Sequence, residues 1–128
     1  MDRALVAMLV VVGAGLVATL LRSRRTPAIE QVDPADFGFG DRDAGVAGFT
    51  SPMCHSCRLW REQLDAEGIP ATFVDVKERP DLARRYRVSE TPTVLLIDLP
   101  SGRVRAQYRH DPRPDQLADL RAAVLAPR

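Results

Sequence analysis

Residues 4–21 carry no charged side chain and are almost wholly apolar, and this run decides how the rest of the chain must be organised. A helix rises 1.5 Å per residue, so the run spans about 27 Å, close to a hydrocarbon thickness of about 30 Å. Gly13 and Gly15 would weaken a soluble helix, yet glycine is frequent in membrane helices. A core helix apolar all round would need partners on every side, which so small a chain does not have to spare. A cleaved secretory signal would carry an apolar core of about 7–15 residues ending in a small-residue cleavage site. Here the run is longer and stops at Arg22, Ser23, Arg24 and Arg25, so a single-pass anchor in the cell membrane is expected, with residues 4–21 in contact with lipid. Arg3 and the terminal amine precede the span and the arginines at 22, 24 and 25 follow it. By the positive-inside rule this balance places the C-terminal part on the cytoplasmic face.

About a hundred residues then remain for a soluble module, enough for one compact core. Lys and Arg number 18 against 17 Asp and Glu, a net charge of +1. No basic stripe with interleaved aromatics exists, which argues against a nucleic-acid partner. Residues 26–43 are polar and punctuated by Pro27, Pro34, Gly38 and Gly40, the composition of a linker with room for one short strand near 28–32.

From residue 44 the pattern becomes regular. A short apolar run at 45–50 fits a buried strand and is broken by Ser51 and Pro52. Over 57–67, Cys57, Trp60 and Leu64 recur at helical spacing, and Gly68 and Pro70 end that helix. Residues 71–76 fit a second strand. Pro80 opens a short helix with Leu82 and Tyr86 on one side. The apolar run 93–97 fits a central strand, Ser101-Gly102 a turn, and 103–109 an edge strand with Val104, Ala106 and Tyr108 facing inward. Pro114 opens a last helix carrying Leu117, Leu120 and Val124 on one face. The expected order is βαβ followed by ββα: an α/β fold with a four-stranded mixed sheet covered by helices on both faces.

The chain has two cysteines, in the sequence Cys54-His55-Ser56-Cys57. A pair two residues apart closes too small a loop to add much stability through chain entropy, so a purely structural staple is disfavoured. Only a thiolate attacks a disulfide, and a helix N-terminus favours that anion through its unpaired N–H groups and positive dipole end. His55, when protonated, would favour it further. Zinc or copper(I) held by the two thiolates with His110, or with ligands from a partner, is an alternative of another class, but the ligands are few. A redox-inert adaptor is a further alternative, against which the intact pair argues.

A strand running into C-x-x-C at a helix start, Thr91-Pro92-Thr93 opening a later apolar strand, and the βαβ–ββα order together resemble the thioredoxin family over roughly residues 45–125. Residues 1–25 then read as anchor and basic flank and 26–43 as linker, and the resemblance implies 44–128 as a thioredoxin-like domain. It implies a thiol–disulfide oxidoreductase in which Cys54 is the exposed nucleophile and Cys57 the buried resolving thiol. Pro92 matches the family's cis-proline facing the sulfurs. The backbone beside Thr91 would pair with an extended client segment, and His55 and Ser56 would modulate the pair. The implied partners are client proteins with disulfides or thiols and a thioredoxin-reductase-like or membrane electron donor; no cofactor and no metal is implied. The chain departs from the family pattern at Met53, His55 and Ser56, where the family has Trp-Cys-Gly-Pro-Cys. It has Gly48 where the family carries a buried aspartate that relays protons, and Glu62 where it carries a helix-kinking proline.

Overall fold

The computed structural model describes residues 2–23 and 28–126. Met1, Arg24 and Arg25 of the expected basic flank, and residues 26–27 and 127–128 at the edges of the expected linker and domain, lie outside the described residues. Helix α1, Arg3–Ser23, is long and apolar enough to cross a membrane. Its residues 3–21 are all exposed, Met8 69% and Val11 71%.

The sheet holds β1 (Ala44–Thr50), β2 (Thr72–Asp75), β3 (Thr93–Asp98) and β4 (Val104–Tyr108) in the order β2-β1-β3-β4. β1 and β2 run parallel; β1 and β3, and β3 and β4, run antiparallel. Helix α2, His55–Ala66, crosses over between β1 and β2, as a parallel pair requires. Its end is closed by Gly68 N–H donating to Asp65 C=O and Ile69 N–H donating to Leu64 C=O. Helices α3, Pro80–Arg85, and α4, Pro114–Val124, each begin at the proline expected to open them.

Alternation along the central strands splits the core in two. Ala44 and Val46 of β1 and Val94 and Leu96 of β3 meet Trp60 and Leu64 of α2 and Leu117 and Leu120 of α4. Ala47, Phe49, Leu95 and Ile97 point the other way, onto Leu82, Val74, Val32 and Phe37.

Two expectations are corrected. Residues 28–43 are not a free linker: Val32 is 3% and Phe37 5% exposed, both inside the second core. The polarity of that segment belongs to the residues between its anchors. Val32 N–H donates to Gly102 C=O, Val104 N–H donates to Glu30 C=O, and Gln31 bridges to Arg103, so the segment lies along the start of β4. The approach is close enough that a Cβ on Gly102 would stand 2.1 Å from the Val32 carbonyl oxygen. The other correction concerns β4. A bulge opposite Leu96 and Ile97 shifts the register, so Ala106 and Tyr108 join the α2–α4 face while Val104 joins the opposite one. An extra residue in a strand reverses the side on which later residues fall.

Candidate functional site

β1 delivers the chain to the site. After Thr50, residues 51–53 turn and Cys54 becomes the N-cap of α2, its backbone extended at φ −93° and ψ 106°. The first N–H groups of a helix have no partner within it. Here the Cys57 N–H donates to Cys54 Sγ at 3.1 Å, so the sulfur takes the place of a capping oxygen. The two sulfurs are joined as a disulfide, with 2.11 Å between them and 5.3 Å between the Cα atoms. Cys57 faces the core at 4% exposure beside Trp60; Cys54 is half-buried. His55 is exposed on the first turn, and Met53, just before the pair, is 90% exposed.

The antiparallel pairing of β1 with β3 brings the start of β3 to the same end of the sheet, with Phe49 opposite Thr93. The Thr91–Pro92 peptide there is cis, and Pro92 is buried. The Ser51 and Thr91 hydroxyls are 2.9 Å apart in a hydrogen bond that ties the turn before Cys54 to the turn before Pro92. Thr93 Oγ1 donates to Glu90 C=O at 2.8 Å and steadies the same turn. Cys54, Cys57, Ser56, Thr91 and Pro92 thus gather at one end of the sheet, with His55 on its rim.

Two groups at this end are not evident from the sequence motifs. β4 returns to the same end, and the loop after it lies on the first turns of α2: Trp60 Nε1–H donates to His110 C=O at 2.7 Å and Ser56 Oγ donates to the Asp111 carboxylate. The ββα order was the available signal, because a strand antiparallel to β3 must end where β3 begins. The second group is Phe73. Gly48 faces it across the parallel β1–β2 register, and a Cβ at Gly48 would meet the Phe73 ring at 2.7 Å. The space a carboxylate would use at Gly48 is filled by that ring, over which the Arg61 guanidinium lies 4.7 Å from the centre. Among the described residues, no three His, Cys, Asp or Glu side chains group as a metal site would need, and His110 contributes its backbone carbonyl to Trp60.

No known protein-family model matches the sequence, and no curated protein matches it. Solved structures do resemble this one. A thioredoxin variant from Halobacterium salinarum NRC-1 is 20% identical with a TM-score of 0.56, over 77% of this chain and 96% of that one. Chloroplastic thioredoxin z is 19% identical with a TM-score of 0.54, over 77% and 99%. Thioredoxin-2 of a malaria parasite is 22% identical with a TM-score of 0.54, over 62% and 81%. At such identities the likeness is one of fold. The chain has a thioredoxin-like fold, a mixed four-stranded sheet with flanking helices and a Cys-x-x-Cys pair at the start of one of them.

Proposed function

We propose that this protein is a membrane-tethered thiol–disulfide oxidoreductase acting through Cys54 and Cys57. One observation carries the reading: Cys54 Sγ sits at the N-cap of α2, accepts the Cys57 N–H at 3.1 Å and is bonded to the Cys57 sulfur. The same N–H and the helix dipole would stabilise a Cys54 thiolate once the pair is reduced.

In the reducing direction, the Cys54 thiolate attacks one sulfur of a client disulfide. That S–S bond breaks, the first client sulfur leaves as a thiolate and takes up a proton, and a mixed disulfide forms. Cys57, deprotonated, then attacks Cys54 Sγ and expels the second client thiolate. Two electrons pass to the client and the Cys54–Cys57 disulfide remains. The reverse sequence oxidises a client dithiol. Thr91 and Pro92, tied through Ser51 to the turn before Cys54, would line the path of an extended client segment, and His55 and Ser56 would tune the helix start. A reductase-like or membrane donor of electrons would restore the dithiol.

The apolar α1 supports an anchor over residues 1–25 with the oxidoreductase domain following it. The arginine balance favours the cytoplasmic face. The packing of Val32 and Phe37 favours starting the domain near residue 28. The test uses the full chain in lipid nanodiscs, with soluble insulin as client and dithiothreitol as donor. Wild type is expected to accelerate insulin reduction, and Cys54→Ser to fall to the uncatalysed background. Equal rates for the two would end the catalytic reading. A phosphatase fused after Arg128 and active outside the cell would reverse the sidedness.

A further inference from the structure

We propose that Asp111 is a positioning residue that holds the Cys54–Cys57 pair toward its reducing side, because its carboxylate binds the Ser56 hydroxyl and competes with the Cys54 sulfur for the positive end of α2. The inference rests on the redox reading above and adds to it a residue 55 positions away in the chain.

α2 has no acidic residue of its own in its first turn. The carboxylate arrives from the loop between β4 and α4, where Asp111 is hydrogen-bonded to Ser56. That loop is fixed to the helix it serves. The fully buried Trp60 donates its indole N–H to the His110 carbonyl at 2.7 Å, one residue before Asp111, and Pro112 and Pro114 follow. The charge is therefore held at the helix start by a core residue.

Two effects of this placement have the same sign. A carboxylate near a helix N-terminus takes up part of the stabilisation that the dipole offers any anion there, and as a like charge it disfavours a neighbouring thiolate. A serine hydroxyl has one proton to donate. Ser56 gives that proton to Asp111, so it is not offered to a sulfur. Both effects make the Cys54 thiol less acidic than the helix start alone would. A pair whose dithiol form is less stabilised by ionisation is the stronger reductant. Other charged and titratable groups around this end include His55 and Arg58 on α2, Asp75 at the end of β2 and Lys77 after it, the Arg109–Glu90 pair at 3.8 Å, His110, and the Arg113–Asp115 pair at 3.0 Å. Arg58 engages the C-x-x-C segment only through a helix backbone bond, its N–H donating to Cys54 C=O at 3.4 Å, whereas Asp111 reaches Ser56 with its side chain from a different element.

The experiment uses the full chain, reduced, in detergent micelles. It follows the rate of Cys54 alkylation by iodoacetamide against pH and the equilibrium of the pair with glutathione. Asp111→Asn keeps an acceptor oxygen for Ser56 and removes the charge. It is expected to lower the pH midpoint of alkylation by about half a unit, about threefold in thiolate at pH values below that midpoint. Its glutathione equilibrium should move toward the dithiol, and both shifts should shrink in high salt. Ser56→Ala, which keeps the charge, is expected to move the midpoint less. An active wild type with an Asp111→Asn variant of unchanged midpoint and equilibrium would overturn the role of Asp111. A wild-type pair that does not exchange with glutathione at all would instead overturn the redox reading.

Discussion

The two faces of the sheet bury comparable apolar side chains but recruit them by different means. On one face, α2 and α4 supply Trp60, Leu64, Leu117 and Leu120 at helical spacing. On the other, the six-residue α3 supplies Leu82, and Val32 and Phe37 come from a segment rich in Asp, Pro and Gly. Rings replace periodicity there. Phe37 stacks on Phe39 at 5.6 Å, meets Phe49 edge-on at 6.0 Å and tilts against Tyr86 at 5.9 Å. Polar ties then hold the segment down. Tyr86 donates its hydroxyl hydrogen to Asp36 while accepting the Asp33 N–H, and Arg85 binds both Asp36 oxygens. A helix can cover a sheet by repeating one spacing; a loop must do so with a few large side chains and bonds that fix its backbone.

Substitution on each face tests this contrast. Trp60→Ala removes the largest fully buried side chain together with its bond to His110, and is expected to cost about 4–5 kcal/mol. A urea midpoint close to that of wild type would deny the helical face its central residue. Phe37→Ala should cost somewhat less, about 3–4 kcal/mol, because four rings share that site. A free linker would lose nothing, so a silent Phe37→Ala would restore the linker and dissolve the contrast.

The smallest effect is electrostatic and depends on pH. The Tyr86 hydroxyl, followed by Arg85, holds the Asp36 carboxyl below its ordinary value of 3.8, while burial opposes them. A carboxyl depressed in the folded state adds stability that is fully present above that ordinary value. The contribution is lost as pH falls through the lowered folded value. Wild type should therefore lose stability over that acid window, while Asp36→Asn should start about 1 kcal/mol lower near neutrality and lose less on acidification. Parallel acid profiles for the two proteins would remove Asp36 from the ties on this face.

The same contrast explains what was legible in the sequence. Cys57, Trp60 and Leu64 declared one face of α2, and Pro80 and Pro114 marked two helix starts, because those signals are local. The C-x-x-C pair and Thr91-Pro92 were visible as motifs, and the strand order brings them together. Val32 and Phe37 were hidden because isolated anchors among polar residues have no period. The side taken by Val104 depended on a bulge, which the alternation of residue types does not announce. Gly48 has no side chain to signal what stands over it; Phe73 was identified only by the parallel register. Asp111 meets Ser56 through three-dimensional return of the chain, not through spacing.

The docking of Glu30–Val32 against the start of β4 has a consequence for reach. Ile29 is already held, its N–H donating to the Gln107 side chain at 2.9 Å. Only six Cα-to-Cα steps separate it from Ser23 at the end of α1, at most about 22 Å of fully extended chain. Were α1 to lie in a bilayer, the domain would be kept on a short leash, its working territory a thin layer of solvent hugging the lipid headgroups.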